Sequence, residues 1–171
     1  MTRTLTDSKK LSALKREQIR QELCAPDNGH LWAIRHTSVV EIDRAGILPA
    51  TFSAMADAVY SLADLLAQQH NIQLSMVLID GNLVPPLDVP CQAVISGDSR
   101  SLSIAAASVL AKVARDEVMR DLANTYPDYG WQTNAGYGTK SHQNALQEFG
   151  VTPHHRKSFA PIKNRLKIGS R

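Results

Sequence analysis

Residues 76–119 predict an α/β fold, on three observations. Met76-Val77-Leu78-Ile79 is a continuous apolar run stopped by Asp80-Gly81-Asn82, the pattern of a strand buried on both faces. Ala93-Val94-Ile95 is a second, short run with two β-branched residues, stopped by Ser96-Gly97-Asp98. Ile104, Ala107, Ala111, Ala114, Val118 and Leu122 then recur at helical spacing. They predict a long helix whose narrow, small-residue stripe suits close packing on a sheet.

The remaining elements are taken in chain order. Residues 1–10 carry no hydrophobic period, and Thr6-Asp7-Ser8-Lys9-Lys10 reads as loop. Ser12 can cap a short helix through Leu23, with Leu14, Ile19 and Leu23 turned inward. Pro26-Asp27-Asn28-Gly29 is a strong turn. Leu31 to Val40 alternates weakly and predicts an edge strand, and Glu41 to Leu48 predicts a short helix stopped by Pro49. A longer helix runs from Thr51 to about Gln69, with Phe52, Met55, Val59, Leu62 and Leu66 on its core face. Pro85, Pro86 and Pro90 make the connection between the two strands a rigid loop. Ser99, Ser101 and Ser103 are candidate caps of the long helix. Ser141 to Phe149 forms a last helix, ended by Gly150 and Pro153.

Asp80 and Asp98 each stand where a strand runs out. Carboxylates at the ends of paired strands would lie about 5 Å apart, because paired strands are separated by roughly 4.7–4.9 Å. That suits shared coordination of a hard divalent cation such as magnesium, and the crevice beyond the carboxyl ends of strands is the usual ligand site of open α/β sheets. The same residues also suit plainer roles, Asp80 as a turn former before Gly81-Asn82 and Asp98 as a helix cap.

Composition narrows the classes. At 171 residues and 43% hydrophobic content, the chain is one domain, with room for a small appendage, and has enough apolar residues for a core. No run approaches the ~18 apolar residues of a membrane span. The start has no apolar signal segment, and two cysteines, Cys24 and Cys91, fit a reduced, cytoplasmic chain. The net charge of +3 is modest, but basic residues gather at the ends. Arg3, Lys9, Lys10, Lys15, Arg16 and Arg20 lie in the first twenty positions, and from Arg156 onward there are six basic residues with no acid. Such clusters serve phosphate contacts or simply solvate the ends. Tyr126, Tyr129, Trp131 and Tyr137 fall in a glycine-punctuated stretch, where aromatics either stack on bases and sugars or cap a core. The six histidines have no metal-ligand spacing with the cysteines, and no Gly-rich phosphate loop or nucleophile elbow occurs.

Several stretches in a fixed order carry a resemblance. They are Asp7-Ser8-Lys9-Lys10-Leu11-Ser12, Glu41-Ile42-Asp43, Leu78-Ile79-Asp80-Gly81-Asn82, Gly97-Asp98-Ser99, Ser103 to Ser108 with Lys112 and Arg115-Asp116, Gly136-Tyr137-Gly138-Thr139, and His155-Arg156-Lys157-Ser158-Phe159. With this order and spacing, the chain resembles bacterial ribonuclease HII over nearly its whole length. The resemblance implies a ribonuclease H-like mixed sheet with flanking helices and a C-terminal helical segment that grips the substrate. On that division residues 1–126 form the catalytic domain and 127–171 the gripping segment. It also implies an endonuclease that hydrolyses the RNA strand of RNA–DNA hybrids and cuts 5′ of ribonucleotides embedded in a DNA duplex. The cofactor would be Mn2+ or Mg2+ in a two-metal arrangement, with ions about 3.5–4 Å apart. The products would be a 3′-hydroxyl and a 5′-phosphate. Residue by residue, the resemblance places two of the four metal-binding, catalytic carboxylates on Asp80 and Asp98. It places the junction-sensing tyrosine on Tyr137, and backbone contacts on Lys9, Lys10, Ser108 and Lys112. Asp116 is expected to brace its helix through Arg115 or Arg120. A monomer acting in DNA replication and repair is the implied setting.

One departure sets an expectation of its own. Relatives begin with a strand carrying an Asp-Glu pair and a Gly-Arg-Gly turn, and this chain starts after that unit. No acid precedes Asp7, and the absent strand should leave apolar sheet surface uncovered. Asn134-Ala135 also stands where many relatives carry His-Lys, which removes a phosphate contact. Two readings result, an active endoribonuclease completed by such a strand and a catalytically silent fragment that binds hybrids.

Overall fold

The computed structural model describes residues 7–168. Seven α-helices are present among them: α1 (Ala13–Cys24), α2 (Val39–Ala45), α3 (Ile47–His70), α4 (Leu102–Thr125), α5 (Trp131–Asn134), α6 (Lys140–Glu148) and α7 (Ala160–Ile168). Two strands, β1 (Val77–Asp80) and β2 (Cys91–Val94), pair in parallel with Asp80 opposite Val94. The fold is α/β, mostly helical around a small parallel sheet, in keeping with a ribonuclease H-like architecture. None of the described helices is long and apolar enough to cross a membrane. The chain forms two compact units, Met1–His36 with Phe52–Ala114, and Thr37–Thr51 with Arg115–Arg171.

In the first unit α1 begins where the sequence places it. The Ser12 hydroxyl accepts from the Lys15 N–H at 3.2 Å, and Ile19 and Leu23 turn inward. They pack against Val109, Leu110 and Val113 of α4, with Leu11, Cys24, Ile34 and Ala106 at the margin. Val109 is wholly buried, and burying a side chain of that size contributes about 1.5–3 kcal/mol. The buried stripe of α4 is therefore not the predicted one. Ile104, Ala105, Val109 and Val113 are buried, whereas Ala107 and Ala111 are exposed. Residues 104–111 are apolar on nearly every side, so spacing alone left the face open, and the bulkier branched residues took the core.

Three further expectations are corrected. Residues 31–38 form no strand, and α2 begins directly after them at Val39. Helix α2 stops at Gly46, with φ of +89°, and α3 starts at Ile47, so Pro49 lies in the first turn of a helix instead of ending one. Proline is tolerated there because a first-turn N–H has no acceptor within the helix. β1 is covered on one face only: Ile79 is buried and Leu78 is 39% exposed. Met76 and Ile95 beside the sheet are exposed as well.

The second unit has its own core of Met119, Ala123, Tyr129, Trp131, Ala145, Leu146 and Ile162. Ser38 and Glu41 form a reciprocal capping box at the start of α2, which satisfies two otherwise orphaned N–H groups. Thr139 caps α6, its hydroxyl accepting from the His142 N–H at 3.3 Å.

Candidate active site

Asp80 is the last residue of β1, and its side chain is exposed. Its cross-strand partner is Val94, so the strand-spacing argument applies to that pair and not to Asp98. Asp98 instead lies in a 3-10 turn, Gly97–Ser99, four positions beyond the end of β2. The turn is brought to Asp80 by one bond: the Gly97 N–H donates to Asp80 Oδ1 at 2.8 Å. The chain reaches it through Ser96 in the left-handed region, φ +54°, and its closure is held by the Ser99 and Arg100 amides on the carbonyls of Ser96 and Gly97.

Gly97 is required here for space. A Cβ on it would stand 2.5 Å from Ile104 Cδ1 and 3.2 Å from Asp80 Oδ1. The buried Ile104 at the start of α4 thus presses the turn against the β1 carboxylate. One carboxylate oxygen of Asp80 is engaged by backbone, and a second acid stands next in sequence to the donor.

Two hard carboxylates fit a hard divalent cation in kind. In number they fall short of a closed protein cage: no group of three or more His, Cys, Asp or Glu is arranged to hold a metal among the described residues. A cation here would keep several waters, as Mg2+ commonly does.

The basic residues of the start are held by a turn. Asp7 Oδ1 accepts from the Lys9 N–H and the Asp7 carbonyl from the Lys10 N–H, each at 2.9 Å. Arg16 of α1 donates to the carbonyls of Ser8 at 3.0 Å and Leu11 at 2.6 Å, so the turn is tied to a packed helix. Both lysine side chains project to solvent. Ser108 and Lys112 are one turn apart on α4 and half-buried, and the Ser108 hydroxyl donates back to the Ala105 carbonyl at 2.9 Å. Asp80, Asp98, Lys9, Lys10, Ser108 and Lys112 all belong to the first unit.

Tyr137 belongs to the second. Of the four aromatics in its stretch, Tyr129 and Trp131 are core, Tyr126 packs against them, and Tyr137 alone is 66% exposed. Two left-handed residues, Ala135 (φ +46°) and Gly136 (φ +81°), deliver it. Buried Asn134 sets that turn, its Oδ1 accepting from the Gly136 N–H and its Nδ2 donating to the Tyr129 carbonyl, both at 2.8 Å. A Cβ at Gly136 would meet Met119 Cε at 3.2 Å, so the backbone approaches α4 closely there.

A sequence profile of ribonuclease HII matches residues 2–162. The chain belongs to the ribonuclease HII family. It is 50% identical to the ribonuclease HII of Paracoccus denitrificans over 163 residues, 95% of this chain and 72% of that one. It is 51% identical to that of Rhodospirillum rubrum over 162 residues, 95% and 70%. The Magnetococcus marinus protein is 48% identical over 163 residues, 95% and 72%. The chain thus spans about 70% of the length of these relatives. By family it is a ribonuclease, a nuclease among the hydrolases.

Two groups of this ribonuclease HII chain escaped the sequence reading as structural actors. Asp43 lies on α2, yet its carboxylate holds the 157–158 loop. His142 and His155, thirteen positions apart, are buried and bonded to one another. Neither pairing has a spacing signature. Arg115 feels the Asp116 charge, which opposes the lowering of its pKa by burial and by nearby Arg156, while Arg120 faces Glu117 at 4.0 Å.

Proposed function

We propose that the chain is a divalent-metal-dependent endonuclease acting on the RNA strand of RNA–DNA hybrids and on the 5′ side of ribonucleotides embedded in duplex DNA. The observation that supports this best is the Asp80–Gly97–Asp98 arrangement, with an acid ending a strand, an acid in the facing turn and a backbone bond holding the two segments together. Asp80 and Asp98 would hold the cation, and Mn2+ or Mg2+ when bound would polarise the scissile phosphate and lower the pKa of the attacking water. Hydrolysis adds water at phosphorus and breaks the bond to the 3′-oxygen, leaving a 3′-hydroxyl and a 5′-phosphate. In the full arrangement a second ion would stabilise that leaving oxygen.

Lys9, Lys10 and Lys112 supply cations for the substrate backbone, and Ser108 a hydroxyl beside Lys112. Tyr137, exposed and held at its backbone, would stack on the sugar at the RNA–DNA junction. Residues 1–126 would carry the chemistry and 127–171 the grip, in a cytoplasmic monomer serving replication and repair.

A second reading is favoured by the shortage of clustered carboxylates among the described residues: a chain that binds hybrids and does not cut them alone. One assay separates the two. A DNA duplex with a single ribonucleotide is incubated with the protein and Mn2+ or Mg2+, against an EDTA control. Metal-dependent cutting 5′ of the ribonucleotide, lost in Asp80→Asn, supports the first reading. Binding without cutting, with cutting restored when an Asp-Glu strand is fused ahead of Met1, supports the second.

A further inference from the structure

His142 of α6 and His155 lie in the aromatic core of the second unit, 4% and 7% exposed, with Tyr129 and Trp131 around both rings. Their bonds form a chain whose direction is set at one end. The backbone N–H of Thr152 donates to His155 Nδ1 at 3.1 Å, and an amide can only donate. So Nδ1 carries the lone pair, and the proton of the neutral ring sits on Nε2. That N–H points at His142 Nε2, 3.1 Å away, which then accepts. His142 must therefore carry its own proton on Nδ1, where it donates to the Tyr137 carbonyl at 3.1 Å. The Thr152 hydroxyl, 2.9 Å from His155 Nδ1, accepts in turn from the His154 N–H at 3.2 Å, closing the anchored end.

We infer that His142 is a positioning residue that holds the backbone of Tyr137 through its Nδ1–H, and that His155, anchored by the Thr152 amide, acts on it by fixing that tautomer, which an amide donor in place of the ring would not need. The inference deepens the proposed role of Tyr137 as the substrate-stacking residue and rests on it.

Three facts carry it. Burying two imidazoles costs desolvation that two apolar side chains would avoid, so what the pair contributes is its bonds and not its bulk. The last of those bonds ends on a residue whose own ring adds nothing to the core, being 66% exposed. The fixed object is thus the exposed Tyr137. The same carbonyl also receives the Thr139 N–H at 2.8 Å, and the Tyr137 N–H donates to Asn134 at 2.8 Å, so the segment is held from both sides of the left-handed turn. Burial lowers the pKa of both rings, which favours the uncharged form the chain requires, since a second proton on either ring would set N–H against N–H.

Two substitutions at one position separate the bonds. An Asn side chain places its amide near Nδ1, so His142→Asn keeps a donor for Tyr137 and loses His155. A Gln side chain reaches the place of Nε2, so His142→Gln keeps His155 and loses Tyr137. The readouts are hydrogen exchange at the Thr139 amide, which reports on the Tyr137 carbonyl, and affinity for a duplex with one ribonucleotide, measured in EDTA so that no cutting occurs. His142→Gln should speed Thr139 exchange and weaken binding about tenfold, as Tyr137→Ala does, with no further loss in the double variant. His142→Asn should stay within about twofold of the parent in both. Equal behaviour of the Asn and Gln variants, or losses that multiply in the double variant, would overturn the inference. If Tyr137→Ala binds like the parent, the stacking role of Tyr137 falls. The chain is then judged by Thr139 exchange, where no difference between Asn and Gln refutes it.

Discussion

Asp43 holds Ser158 across 115 positions of sequence: its Oδ1 accepts from the Ser158 N–H at 2.9 Å and from the Ser158 hydroxyl at 2.6 Å. The Lys157 N–H donates to Oδ2 at 2.8 Å. Both carboxylate oxygens are therefore spent on pinning the loop that leads into α7. The Ser158 hydroxyl, then its N–H, holds the Asp43 carboxyl below the usual carboxylate range. Asp43→Ala should release the Lys157 and Ser158 amides to fast hydrogen exchange and leave those of α1 protected. Unchanged protection at 157–158 would contradict the anchor.

Gly97→Ala should be costly although Gly97 brings no side chain to the candidate site. The added methyl would overlap Ile104 Cδ1 at 2.5 Å and crowd Asp80 Oδ1 at 3.2 Å. Overpacking of this kind costs about 1–3 kcal/mol, to be read as a lower urea midpoint at constant slope. Displacement of the Asp80 carboxylate should lower Mn2+ affinity in the same variant.

Asp80→Asn separates charge from shape. The amide oxygen can still accept from Gly97, so the fold should survive with stability within about 0.5 kcal/mol. Metal-dependent cleavage should fall at least about 100-fold, equivalent to roughly 2.7 kcal/mol of barrier. Undiminished cleavage would remove Asp80 from the metal site.

Tyr137 is a surface residue, so Tyr137→Phe and Tyr137→Ala should both leave the thermal midpoint nearly unchanged. Affinity for a duplex with one ribonucleotide should persist in the Phe variant and drop about tenfold in the Ala variant, because the aromatic face does the stacking. Equal affinities would argue against a stacking role.

Acid should act through His155. Burial first, then the His142 charge, lower its pKa to about 4. Burial also lowers that of His142. The groups facing the pair are His154, Thr152, Tyr129, Trp131 and the Tyr137 carbonyl. An unfolded histidine titrates near 6.5, so between about 6.5 and 4 the unfolded chain binds protons that the folded chain refuses. Stability from this source is full above about pH 6.5 and is lost as the pH falls toward 4. The thermal midpoint should decline through that window, and His155→Gln should flatten the decline while lowering the starting value.

Much of the local structure was legible because its causes are local. Ser12 caps its helix through a bond to a residue three positions away, and Gly29 closes its turn by its own left-handed φ. Asp80 could be placed at the end of its strand and Asp98 beyond its own because a polar residue ends an apolar run. The face of α4 and the state of residues 31–38 were not legible, since both depend on what packs against them. Two apolar faces of α4 have similar spacing, and only contact with Ile19 and Leu23 selects Val109 and Val113.

By itself, then, the sequence determined α1 with its Ser12 cap, the existence of α2, α3, α4 and α6, the two strand ends and their acids, and the family, because spacing and short-range bonding encode them. Tertiary structure decided which tyrosine is free, which glycine is crowded and which distant groups meet. Tyr129 and Tyr137 are alike as letters eight positions apart, but one is core and the other solvent-facing because a left-handed turn at Ala135-Gly136 separates them. Likewise Asp43 with Ser158 and His142 with His155 join only when the chain closes on itself, since a hydrogen bond depends on distance in space and leaves no periodicity in the sequence.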